Sequence, residues 1–99
     1  MLNIEKTTNA SELTVALAGR LDTTTAPELE KELKASLDGV TALTIDMTVL
    51  DYISSAGLRV LLSTQKVMNR QGEMKVLHVD ETILNIFEVT GFSDILTIE

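Results

Sequence analysis

There is no cysteine in these 99 residues, which excludes a disulfide framework and a thiolate metal site. A single histidine without cysteines argues against a zinc site. Aromatic residues make up only 3% of a chain that is 44% hydrophobic, so any core must be built from Leu, Ile, Val, Met and Ala. The four methionines read as gap-fillers in that core. No apolar run approaches the roughly 18 residues needed to span a bilayer. The opening Met1-Leu2-Asn3-Ile4-Glu5-Lys6 lacks the basic region and long apolar stretch of a signal peptide, so a cytoplasmic protein is expected. Bases are scarce: eight against fifteen acids, for a net charge of -7. That argues against a nucleic-acid phosphate surface and against adhesion to anionic lipid. The acidity either keeps the chain soluble or attracts a basic protein partner. No Gly-rich phosphate-binding signature is present, so nucleotide catalysis is unsupported and no cofactor is expected.

What is there reads as one domain over residues 1–99. Leu2 to Thr8 alternates as an edge strand would, and Asn9-Ala10-Ser11 is a turn. Glu12 to Ala18 alternates cleanly, with Leu13, Val15 and Leu17 on one side. Thr25 precedes Glu28 by three residues in a capping-box pattern, with Pro27 in the first turn. Ala26, Leu29, Leu33 and Leu37 form one face of the helix that follows, with Gly39 as its stop. Leu43 to Met47 is a buried strand. Leu58, Leu61, Leu62 and Met68 mark the core face of a second helix that ends at Gly72. Met74 to Val79 is a further strand. Asp80 caps a third helix, with Ile83, Ile86 and Phe87 inward and Gly91 as its stop. Ile95 to Ile98 adds a last short strand. The order β-β-α-β-α-β-α-β predicts a mixed, mainly parallel α/β sheet of four to five strands with helices packed against it.

The segment Asp51-Tyr52-Ile53-Ser54-Ser55-Ala56-Gly57-Leu58 carries the most chemistry. Two hydroxyls and a glycine separate the central strand from an apolar helical pattern. The first amides of a helix lack intrahelical partners and carry partial positive charge, so a phosphate is held there rather than repelled. Ser54 and Ser55 are therefore either caps or sites of a phosphorylation switch. Gly57 lets the helix start pack closely, and also lets a partner approach Ser55. Asp22 is a turn or capping carboxylate, and one of Thr23, Thr24 and Thr25 is a cap. Asp46, at the end of the central strand, and Asp51, in the loop toward Ser54, are either solvated loop acids or part of an acidic surface. His78 lies within a strand pattern. A Ser55–His78–Asp triad lacks a nucleophile-elbow sequence and any sign of an oxyanion hole.

These residues resemble the central motif of STAS domains, and within them the bacterial anti-sigma factor antagonists. Gly19-Arg20-Leu21-Asp22, the threonines and Ala26-Pro27 are similar to the family's second strand and first-helix entry. Leu43 to Met47 resembles its central strand, and Ile86-Phe87 with Thr90-Gly91-Phe92 the end of its last long helix. The resemblance implies a binding protein and kinase substrate, not an enzyme. It places the phosphoacceptor on Ser55, two residues before the Gly-Leu pair, and a partner surface on Asp22, Thr23, Ser54, Ser55, Ala56 and Gly57. Ser54 stands where many members have aspartate, and Ala56 where many have a second serine. The implied partners are an anti-sigma factor that is also an ATP-dependent serine kinase, and a phosphatase. The chain is expected as a monomer or weak dimer, with no nucleic acid bound and no membrane insertion. A scaffold in another signalling or secretion system, an accessory subunit of a transporter, and a small hydrolase using Ser55 are the alternatives.

Overall fold

The computed structural model describes residues 2–99; Met1, the first residue of the expected domain, lies outside them. The chain forms β1 (Leu2–Asn9), β2 (Glu12–Leu21), α1 (Ala26–Ser36), β3 (Ala42–Ile53), α2 (Ser55–Gln71), β4 (Glu73–Leu77) and α3 (Glu81–Thr90), then a short 3-10 turn at Phe92–Asp94. The sheet order is β1-β2-β3-β4. β1 is antiparallel to β2, whereas β2–β3 and β3–β4 are parallel and joined through helices, as expected from the element order.

Period-two patterning sets the sheet's buried face. Leu13, Val15 and Leu17 of β2, Leu43, Ile45 and Met47 of β3, and Met74 and Val76 of β4 are buried. They form one cluster with Leu29 and Leu33 of α1, Leu61 and Met68 of α2, and Ile83 and Phe87 of α3. Thr14, Ala16, Thr44 and Lys75, which alternate with them, are not buried, so one sheet face carries the core. The third helix follows its sequence signals: the Asp80 carboxylate accepts from the Ile83 amide at 2.8 Å, and Gly91 closes the helix at φ +82°.

Several expectations are corrected. β2 runs on to Leu21, and β3 runs to Ile53 rather than Met47. Beyond Asp46, pairing shifts from Ala16↔Asp46 to Ala18↔Val49, and from Gly19↔Leu50 to Arg20↔Tyr52. Each shift places an extra residue in β3, a bulge. Buried positions then recur every third residue, at Met47, Leu50 and Ile53, which destroys the alternation that marks a strand. Asp46 thus lies inside β3 rather than at its end, and Asp51 lies in the strand rather than in a loop.

β4 stops at Leu77, and His78 stands outside it, exposed, at φ +58°. On α2, Leu58, Leu61 and Met68 are buried as expected, but Leu62 is only half-buried, and Val60, Thr64 and Gln65 take inward places instead. The final strand reduces to one parallel bridge, Val76↔Ile98. The amides of Ile95 and Leu96 donate back to the Phe92 carbonyl, so the turn consumes them before they can join the sheet.

Candidate functional site

Two turns meet at the carboxyl ends of β2 and β3. Leu21 pairs with Ile53, and the amide of Ser54 donates to the Leu21 carbonyl at 2.9 Å. The turn after Leu21 carries Asp22 and the threonines; the turn after Ile53 carries the two serines. Parallel neighbouring strands put both turns at the same end of the sheet.

The serine turn assigns different roles to its two hydroxyls. Ser54 is extended (φ -100°, ψ 175°) and is the N-cap of α2. Its side chain accepts from the Gly57 amide at 3.4 Å, a long bond, and its carbonyl accepts from Leu58 at 3.0 Å. Ser55 is the first helical residue and is exposed. No acidic residue occupies the first turn of α2 to offset the positive end of the helix from within. Ala56 is half-buried against the core, and Gly57 is buried. A Cβ on Gly57 would stand 2.7 Å from Leu21 Cγ and 3.0 Å from Ile53 Cγ1. The glycine therefore seats the helix on the strand ends and offers no surface of its own.

The other turn is tightly bonded around Asp22. Its Oδ1 accepts from the Thr24 hydroxyl at 2.7 Å and from the Thr24 and Thr25 amides at 3.0 and 3.1 Å. Its carbonyl accepts from the Ala26 amide at 2.8 Å. The Thr24 hydroxyl, together with the Thr25 and Thr24 amides, lowers the Asp22 pKa to about 2 against an opposing desolvation. The capping box expected at Thr25 does not form, because Thr25 makes no side-chain cap bond to its helix. Its buried hydroxyl instead donates to the Arg20 carbonyl and accepts from the Asp22 amide, both at 2.8 Å. The Asp22 carboxylate thus holds the turn before α1 and not the helix amides; only the Asp22 main-chain carbonyl reaches the first helical amide, at Ala26. Thr23 is exposed and lines a depression of about 220 Å³ with Ala26, Pro27, Glu30, Ala56, Arg59 and Val60.

Asp22, Thr23, Ser54, Ser55 and Ala56 therefore share one end of the molecule. Asp46 does not join them. The Thr48 hydroxyl and amide bind its carboxylate and hold its pKa low, and Asp46 Oδ1 lies 3.1 Å from His78 Nδ1. Ile53 lies seven positions beyond Asp46 on β3, on the order of 20 Å along a strand. The imagined triad with Ser55 is not assembled. Two residues at this end receive no role of their own from sequence. Arg20 stacks on Tyr52 at 4.3 Å and lies 3.9 Å from Asp22, and Arg59 sits four residues after Ser55. Only the β2–β3 register reveals the first; i,i+4 spacing could have found the second.

The model of the STAS domain matches residues 2–99. The chain belongs to the STAS domain family. A relative named anti-sigma-B factor antagonist, from Staphylococcus aureus, is 35% identical over 97 residues, covering 96% of this chain and 90% of the relative. The crystal structure of an anti-sigma factor antagonist from Mycobacterium paratuberculosis superposes with a TM-score of 0.89 at 22% identity, over 99% of this STAS domain and 85% of that chain. The Bacillus cell fate determinant SpoIIAA in its phosphorylated form shares the fold at a TM-score of 0.76 and 16% identity, over 100% and 91% of the two chains.

Proposed function

We propose that this STAS domain is an anti-sigma factor antagonist switched by phosphorylation of Ser55. The observation that carries the reading is an exposed serine as first residue of α2, beside the turn held by Asp22. The relative at 35% identity bears the same functional name, and SpoIIAA is a fold neighbour that exists in a phosphorylated form.

The unmodified domain binds an anti-sigma factor through Asp22, Thr23, Ser54, Ser55 and Ala56, and so frees a sigma factor. The role places it in the cytoplasm. The anti-sigma factor, acting as a serine kinase, transfers the γ-phosphoryl group of ATP to Ser55 Oγ; the hydroxyl proton is lost and ADP leaves. A phosphatase hydrolyses the ester and resets the switch. The domain itself catalyses neither step. Phosphoserine adds about -1.5 to -2 charge at neutral pH. At the start of a helix that charge meets free amides, so it changes the docking surface without unfolding the domain. A loss of about 3 kcal/mol in binding is roughly a 150-fold change in affinity, enough to reroute a partner.

Incubation with the cognate kinase and ATP should add one phosphate, located on Ser55 by mass spectrometry and abolished by Ser55→Ala. Circular dichroism of the modified protein should overlay that of the unmodified one. Phosphate mapped to Ser54 or to Thr23, Thr24 or Thr25 would overturn the assignment.

A further inference from the structure

Arg59 stands one helical turn beyond Ser55 on α2, and both side chains are exposed. Residues four apart on a helix have Cβ atoms about 5–6 Å from each other. Helical side chains lean toward the N-terminus, so Arg59 reaches back over the first turn, where Ser55 lies. Among the described residues, ion pairs form at Lys6, Arg20 and Lys34, and Arg59 has none. Two acids at this end of the molecule are engaged elsewhere. Glu30, which shares the depression of about 220 Å³ with Arg59, is bound by Lys34 at 3.3 Å. Asp22 is bound by Thr24, Thr25 and Arg20.

We propose that Arg59 is the built-in counter-charge of the switch: once Ser55 is phosphorylated, the Arg59 guanidinium closes on the phosphate oxygens across one turn of α2. The inference rests on the reading of Ser55 as the phosphoacceptor. An anion N-terminal to a cation at i,i+4 is the favourable order on a helix, and a planar guanidinium matches two phosphate oxygens at once. The modification then does two things. It adds a phosphate, and it withdraws the exposed guanidinium that the unmodified surface offers to a partner. The local charge passes from +1 to between about -0.5 and -1.

The test installs phosphoserine at position 55 during synthesis of the full chain, so it needs no kinase. A failure of the kinase to modify Ser55 would count against the proposed function alone. The second ionisation of the phosphate is followed by ³¹P NMR in wild type, Arg59→Ala, Arg59→Lys and Arg59→Glu, each first shown to be folded by circular dichroism. The wild-type value should lie about 0.2–0.4 of a pH unit below that of Arg59→Ala. Arg59→Lys should fall between them, and Arg59→Glu above both. The gap should shrink at about 1 M salt, as befits an exposed pair. Titration curves that coincide for wild type and Arg59→Ala would overturn the proposal, whatever the other variants show.

Discussion

The amide of Ser54 donates to the carbonyl of Leu21 at 2.9 Å, so one backbone bond ties the serine turn to the turn that begins at Asp22. Two segments more than thirty residues apart in sequence become one surface through it. The same contact fixes where α2 begins and how closely it must lie on the strand ends.

That closeness makes Gly57 sensitive. Leu21 and Ile53 are both buried, and an added Cβ would press on the Leu21 branch carbon, one of its methyls at 2.9 Å, and Ile53 Cγ1, side chains with little room to move. Gly57→Ala should cost roughly 1–3 kcal/mol, the usual penalty for overpacking. Thermal melts of the two proteins check it. An unchanged melting temperature would mean that α2 can ride outward without loss.

Gly72 should be less tolerant still. Its φ of 171° is open to any residue, so the constraint is one of space. A Cβ there would overlap the Thr41 carbonyl oxygen and lie 2.6 Å from its carbon, and backbone cannot rotate away as a side chain can. The same carbonyl accepts from the Glu73 amide at 3.0 Å and starts β4. Gly72→Ala should lower stability by at least as much as Gly57→Ala, measured by denaturant midpoint, with the β3–β4 amides losing hydrogen-exchange protection first.

Leu61 and Leu62 are adjacent in sequence and unequal in the fold. Leu61 is fully buried, and Leu62 is half-buried. Leu61→Ala should cost about 2–5 kcal/mol, and Leu62→Ala distinctly less. Equal losses in paired urea titrations would show that α2 is rotated from the register described.

Asp22 predicts a pH dependence whose sign follows from its lowered pKa. The bonds from Thr24 and Thr25 favour the charged carboxylate in the fold. The stability they contribute is present above the unfolded value of 3.8 and is lost as pH falls through about 2. The difference in melting temperature between wild type and Asp22→Asn should therefore be full above about pH 4 and close up toward pH 2. A difference that stays constant over this range would show that the carboxylate's charge does not matter to the turn.

Much of the fold was legible because local rules and global packing agree. Leu13, Val15 and Leu17 alternate and are buried; Ala26, Leu29 and Leu33 recur at helical spacing and are buried; Asp80 and Gly91 bracket α3 as their chemistry requires. The serine turn was legible too, since a strand, two hydroxyls, a glycine and an apolar helix leave little freedom for where Ser55 falls.

What only the tertiary structure decided depends on pairing between distant segments. The bulges that carry β3 to Ile53 exist relative to β2, and no periodicity within β3 announces them. The Thr25 hydroxyl could have capped its own helix, but the Arg20 carbonyl lies within reach and takes it, leaving α1 with no side-chain cap. Arg20 meets Tyr52 only because the register sets them side by side. Sequence determined which faces are apolar and where helices start, because side-chain periodicity and capping act over a few residues. The fold decided which turns face each other, because that follows from strand register, and register is a property of two segments at once.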